Sequence, residues 1–284
     1  MRERLPLLCV LTIVLIVWFA AAVPMNWDQA RGFADDDANW STIALATLSL
    51  DRPLLPTPIQ VASEMIRSMF DYPITSPRSL IFHAGVTAWS AMIGFIIAMF
   101  AGIALAIGIV HIRTLDRALM PWLIASQAIP VLAIAPMVVV VLGHAGLTGV
   151  VPKALIAGWL SFFPISTGMV KGLRSSDVMQ RDLMRTYHAT SAQVFAKLRW
   201  PASVAFLFPA MKVAAPLALV GAIVAELPTG AQAGLGARLL AGSYYGQTLQ
   251  IWAALLMAAF LAMLAVALVD VSQVLLVRAR GGRL

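Results

Sequence analysis

The chain has a single cysteine, Cys9, and only 12% charged residues in 284 positions. A lone cysteine excludes an internal disulfide and any thiolate metal cluster. So little charge, set against 61% apolar residues, leaves too little polar surface to cover a soluble globule of this length, so the chain reads as an integral membrane protein. The four histidines, His83, His111, His144 and His188, are scattered and form no His-Glu-x-x-His motif, which argues against an intramembrane metalloenzyme. No Gly-Lys-Ser/Thr sequence occurs, and Gly234-Leu235-Gly236 follows no strand and lacks a third glycine, so no nucleotide site is expected. The formal charge of +7 is compatible with nucleic acid, but the basic residues follow the boundaries of apolar runs, so nucleic acid is not an expected partner.

What the chain does contain is six apolar runs, which predict an all-α, polytopic membrane protein with six transmembrane helices. Leu5 to Val23 gives nineteen largely apolar residues, near the ~20 that span a bilayer core. A cleaved leader ending at Ala20-Ala21-Ala22 is the alternative. A polar segment follows, and within it Pro58 to Phe70 predicts an amphipathic helix on the outer membrane surface, with Val61, Met65 and Met69 along one side. The second span, His83 to Val110, carries Ser90, Gly94, Ala98, Gly102 and Ala106 at intervals of four, a stripe suited to close helix packing. The third, Ala118 to Leu142, contains Pro130 and Pro136, and its Ser126 and Gln127 face either a translocation path or a neighbouring helix.

The fourth span, Val150 to Val170, has Lys153 at its outer end, where the side chain is expected to snorkel, and Thr167 in its inner half as a further path candidate. The fifth, Ser203 to Ala225, encloses Lys212 and meets Glu226 at its far end. These two charges lie fourteen residues apart, ~21 Å along a helix, and cannot pair with each other; anchoring and transport roles both stay open for them. A glycine-rich loop, residues 227 to 250, precedes the sixth span, Ile251 to Leu276, which holds Asp270 near its inner end. The organisation expected is a first helix and outer segment over 1–79, a core over 80–277 and a basic tail over 278–284.

The one long polar stretch between spans, Lys171 to Pro201, reads as two short helices joined at a turn. Ser175 and Ser176 are candidate caps for the first. In it Asp177 precedes Arg181 by four residues, and Met179, Leu183 and Tyr187 line up at i, i+4 and i+8. Thr190-Ser191-Ala192-Gln193 is a capping box that starts the second helix, whose apolar face is Val194, Phe195 and Leu198 and which Pro201 closes. A mere connection needs a handful of residues, so an apolar-striped hairpin predicts a docking surface for a soluble partner.

This hairpin resembles the coupling loop of bacterial ABC importer permeases of the nitrate, sulfonate and taurine type. Asp182-Leu183-Met184 falls on that family's Glu-Ala-Ala triplet, His188 on its glycine four residues beyond, where a positive φ is permitted, and Pro201 on its proline thirteen residues later. Leu55-Pro56-Thr57-Pro58 resembles the family's entry to the second span, the spacing of Pro130, Pro136 and Gly143 resembles its third, and Lys212 and Glu226 occupy habitual charged positions. The loop with Gly234-Leu235-Gly236 is similar to its re-entrant segment. The resemblance implies a type I importer permease with cytoplasmic coupling helices. Asp182, Leu183, Met184, Tyr187, His188 and Pro201 would serve the docking of an ABC ATPase dimer. ATP and magnesium would be held by that ATPase and no cofactor by this chain. A periplasmic binding protein would deliver solute, and a second permease copy, identical or paralogous, would complete the path. His188 reads either as a tolerated replacement or as a group titrating near neutrality.

Charge placement orients the chain. With the N-terminus in the cytoplasm, thirteen Lys and Arg lie inside, five outside and two within spans. Both termini and the hairpin are then cytoplasmic, in a bacterial inner membrane, on the side where ATP is available. A self-sufficient secondary transporter is the alternative, although no internal repeat and no mid-span carboxylate points to one. Solute identity stays open among sulfonates, nitrate, pyrimidines and vitamin-like heterocycles.

Overall fold

The computed structural model describes residues 5–34, 39–228 and 231–279. The basic residues Arg2, Arg4, Arg280 and Arg283, counted above as cytoplasmic, lie outside the described residues. Among the described residues all regular structure is helical: α1 (Leu5–Gly32), α2 (Trp40–Thr47), α3 (Pro58–Phe70), α4 (Leu80–His111), α5 (Arg113–Ala125), α6 (Val131–His144), α7 (Val150–Arg174), α8 (Val178–Thr186), α9 (Ser191–Val194), α10 (Trp200–Glu226), α11 (Leu235–Tyr244) and α12 (Thr248–Ala279). Five helices are long and apolar enough to cross a membrane, or six if the bent pair α5 and α6 counts as one span. The chain divides into two compact units, Met1–Ala84 with Ala233–Ala258, and Gly85–Gln232 with Ala259–Leu284.

In the first unit α1 runs nine residues past the apolar stretch, through Pro24, because Asn26 gives its second half something to hold. The buried Asn26 amide donates to the Leu55 carbonyl at 2.8 Å, and its oxygen accepts from the Leu55 N–H at 3.1 Å. Trp18 donates to the Pro56 carbonyl and stacks at 4.8 Å on Trp252 of α12. Thr57 and Gln60 form a reciprocal capping box with Pro58 in the first turn, so α3 begins and ends where the sequence predicts. Its faces differ from expectation. Val61 is buried and Met65 and Met69 half-buried within the unit, while Ile59, Ile66 and Phe70 form the exposed apolar stripe that a membrane surface would take. The glycine-rich loop is also more ordered than expected, since α11 occupies its middle. The Gly234 N–H donates to Nδ1 of His83 at 3.0 Å, so the other ring nitrogen carries the hydrogen and donates to the Pro77 carbonyl at 2.8 Å.

The second unit is built on an antiparallel seam between α7 and α10. A Cβ added at Gly172 would lie 2.8 Å from Ser203 Cα, one at Gly168 2.5 Å from Ala210 Cβ, and one at Gly221 2.7 Å from Ala157 Cα. The Ser161 hydroxyl closes the middle of the seam by donating to the Ala214 carbonyl at 3.1 Å. Helix α4 packs on the opposite side of Ala157, where a Cβ at Gly94 would lie 2.6 Å from Ala157 Cβ. Ser90, Gly94, Ala98, Gly102 and Ala106 are all buried, so the small-residue stripe is the packing face that the sequence predicts. The third apolar run departs from a straight span. It breaks at a 3-10 turn, Ser126–Ala128, and at extended Ile129, with a 99° bend between its two helical parts. Pro130 caps α6 rather than lying in a helix, while Pro136 is accommodated inside one.

Because Ala157 is gripped from two sides, Gly221→Ala is expected to destabilise the purified chain by about 1–3 kcal/mol through overpacking. Gly143→Ala, which meets open space, is expected to leave stability unchanged or slightly raised. Thermal unfolding in detergent measures both, and equal midpoints for the two variants would contradict the seam.

Candidate functional site

Two sets of candidate side chains stand at opposite ends of α10. At its N-terminal end is the hairpin. Asp177, not Ser175 or Ser176, caps α8, its carboxylate accepting from the Met179 N–H at 3.3 Å. That use of Asp177 leaves Asp182 with Arg185, at 3.3 Å, as the ion pair of this helix. No residue of α8 is buried, and Met179 and Tyr187 are 78% and 75% exposed, with Leu183 between them. A nine-residue helix with an unburied apolar stripe has little to stabilise it in isolation.

The turn after α8 is a Schellman arrangement. His188 donates from its N–H to the Arg185 carbonyl at 2.9 Å, and Ala189 donates to the Met184 carbonyl at 3.0 Å. This geometry needs a left-handed residue, and His188, at φ 52°, is the one non-glycine residue with positive φ among the described residues. The glycine-like backbone that the sequence assigns to this position is therefore present, with a histidine in it. Thr190 and Gln193 then form the expected capping box.

Pro201 does not close the second helix. α9 passes through a π turn, Phe195–Arg199, into α10, and Pro201 lies one residue after that turn, at the second position of α10, where the helix continues without its N–H. Helix therefore continues from Ser191 to Glu226. Phe195 and Trp200 pack on a core cluster that includes Ile109, Leu123, Met169 and Leu173, and Phe195 meets the His111 ring edge-on at 5.1 Å. Arg174 reaches Asp116 at 2.9 Å, tying the end of α7 to α5. The second arm of the hairpin is anchored, and the first is bare.

At the other end of α10 lies a buried ion pair that the sequence reading missed. Lys153 does not snorkel. Its ammonium lies 3.2 Å from Glu226, whose carboxylate is fully buried. The Thr87 hydroxyl, also buried, donates to the same carboxylate at 2.8 and 3.0 Å. One residue each from α4, α7 and α10 thus converges on one carboxylate. A buried charge is tolerable only when so paired and hydrogen-bonded. Lys212, as expected, does not meet Glu226; its partner is Asp270 of α12. The remaining path candidates are dispersed. Gln127 is exposed, and the Ser126 hydroxyl turns back to the Leu123 carbonyl at 2.8 Å beside a cavity of about 220 Å³ between Leu105, Trp122, Trp159 and Phe162. Thr167 donates to the Phe163 carbonyl in its own helix at 2.9 Å.

In the first unit, an open cleft of about 460 Å³ is lined by Asp51, Arg52, Glu64 and Arg67 with Gln247 and Gln250. Nearby, burial lowers the pKa of the Arg238 guanidinium, opposed by Glu64 and Tyr72.

Residues 94–281 match the family described as the binding-protein-dependent transport system inner membrane component. The chain is 34% identical over 184 residues to the formylaminopyrimidine transport permease protein ThiX of Halalkalibacterium halodurans, covering 64% of this chain and 68% of that one. It is 34% identical over 187 residues to the riboflavin transport system permease protein RibX of Chloroflexus aurantiacus, 65% of each. To the putative aliphatic sulfonates transport permease protein SsuC of Bacillus subtilis it is 25% identical over 208 residues, 72% of this chain and 70% of that one.

Lys153→Met is expected to destabilise the chain by about 3–5 kcal/mol, because the Glu226 charge stays buried without its cation, and Lys153→Met with Glu226→Leu should recover most of that loss. A single variant as stable as the double in denaturant titration would remove the pair from this role. For the turn, His188→Gly is expected to strengthen amide protection around residues 187–189 by about 1 kcal/mol and His188→Val to weaken it similarly, as read by hydrogen exchange.

Proposed function

Because the chain belongs to the family of binding-protein-dependent transport system inner membrane components, we propose that its hairpin is the site where a separate ATPase drives solute import. The supporting observation is the bare apolar stripe of α8, carried on a turn whose second arm is continuous with α10. A dimeric ATPase holding Met179, Leu183 and Tyr187 would bury that stripe, with Asp182, Met184 and His188 fixing the turn and Pro201 lying in the helix that follows. ATP and magnesium belong to that partner. The uninterrupted helix, about 54 Å at 1.5 Å per residue, is rigid enough to carry displacement of the hairpin to the Lys153–Glu226–Thr87 cluster, and such rigid-body motion is one route to alternating access.

In this reading the termini and hairpin are cytoplasmic, as the excess of Lys and Arg supports. Solute arrives from a periplasmic binding protein, for which the mixed-charge cleft of the first unit offers a docking surface, and a second permease copy completes the path. The solute is a small organic molecule of the kinds that the relatives' names cover, pyrimidines, flavins or sulfonates.

The test is co-purification. Purified from its native membrane in mild detergent, the wild-type chain is expected to retain a stoichiometric nucleotide-hydrolysing subunit, and Met179→Asp with Tyr187→Asp to reduce retention at least about tenfold. Proton-driven uptake by the chain alone, or labelling of the hairpin from the periplasmic side, would overturn the proposal.

A further inference from the structure

The exposed face of α5 changes character along its length. At ~100° per residue Arg113, Arg117, Pro121 and Ile124 fall within about a quarter of the circumference, and all four are exposed, as is Trp122 beside them. The face is cationic in the first two turns and apolar in the last two. Neither arginine has an ion-pair partner among the described residues, and the neighbouring carboxylate, Asp116, is taken by Arg174 at 2.9 Å. This corner therefore keeps two positive charges. Farther along the same helix lies the cavity of about 220 Å³, walled by Leu105 of α4, Leu119 and Trp122 of α5, and Trp159 and Phe162 of α7. Its one hydroxyl, Ser126, is turned back to the Leu123 carbonyl, so the lining is apolar. Trp159 and Phe162 also wall an adjoining apolar groove of about 620 Å³ between α4 and α7. Trp122 follows Arg117 and Arg113 by five and nine residues, about 8 and 14 Å along α5, which is within the ~15 Å of hydrocarbon in one leaflet.

We propose that this corner holds an anionic phospholipid of the leaflet on the hairpin side, with its phosphate between Arg113 and Arg117 and one acyl chain in the cleft beside Trp122. An acyl chain that leaves hydrocarbon for an apolar cleft gains little, so the cleft does not choose among lipids and the headgroup must. A zwitterionic headgroup brings its own cation to the two arginines, whereas an anionic one leaves its charge to them, and each Lys or Arg at the surface favours anionic lipid roughly fivefold. A second copy of the chain suits this face less well. It would have to meet both guanidinium groups with carboxylates, and those of the hairpin side, Asp116, Asp177, Asp182 and Asp270, are each engaged within their own chain. Because Arg174 and Asp116 join the corner to the end of α7, where the hairpin begins, a lipid seated here braces the base of the hairpin.

The test is quenching of tryptophan fluorescence by phospholipids with brominated chains, added to the purified full chain in detergent and read as the part of the quenching that Trp122→Phe removes. Phosphatidylglycerol is expected to reach half of that quenching at a mole fraction at least about tenfold below phosphatidylcholine of the same chains, and the preference should shrink in ~1 M salt. Arg113→Gln with Arg117→Gln should bring the two lipids within about twofold of each other. Lys197→Gln with Arg278→Gln, which removes two exposed cations of the same side, should leave the preference intact. All four are surface positions, so the variants are expected to fold, and elution at the wild-type volume checks this. Equal quenching by both lipids in the wild type overturns the proposal, as does a preference that survives in the Arg113 and Arg117 variant or falls equally in the control pair. So does disulfide formation by Trp122→Cys between two copies, in a Cys9→Ser background, without quenching by either lipid, which would give this face to a second chain. Loss of the lipid preference in a chain that still co-purifies with an ATPase overturns this inference alone.

Discussion

A buried carboxylate fixes how the membrane-spanning helices of the second unit meet. Glu226 at the end of α10 cannot remain charged in an apolar interior without a cation and hydrogen-bond donors, and the residues that supply them, Lys153 and Thr87, come from two other helices. Its satisfaction therefore sets the register of three helices at once. The rest of the seam follows that register. Gly221 lies against Ala157, Gly168 against Ala210 and Gly172 against Ser203, each a contact that a one-residue slip would fill with a larger side chain. Within lipid, apolar burial does little to drive helices together, so small-residue packing and this polar clasp carry the specificity.

Much of this was legible in the sequence wherever the determining residues are neighbours in the chain. Thr190 and Gln193, Thr57 and Gln60, and the four-residue spacing of Gly94, Ala98 and Gly102 are local patterns, and each produces the predicted cap or packing face. His188 was legible because the resemblance assigns it a position that needs left-handed backbone, and it adopts that backbone despite its side chain. Lys153 was misread for the opposite reason. Distance from a helix end says whether a lysine can reach water, but only the neighbouring helix says whether a carboxylate lies closer. The amphipathic helix α3 repeats the lesson, since its period was visible but two apolar stripes were present and tertiary contacts chose which one to bury. Pro201 was taken as a stop signal, whereas it lies directly after a π turn inside a helix that continues to Glu226.

The clasp and the hairpin are joined by one continuous piece of helix. The π turn at Phe195–Arg199 joins the second arm of the hairpin to the span within one continuous helix, and Phe195 and Trp200 hold that turn against the core. From Ser191 onward the path to Glu226 is therefore helical throughout. At the far end stand the buried ion pair and the close-packed glycine seam. The softness lies instead in α8, bare and fastened by a strained left-handed turn. If a partner seats on α8 as proposed, compliance lies where it would fit and stiffness along the helix that leads from Ser191 to Glu226.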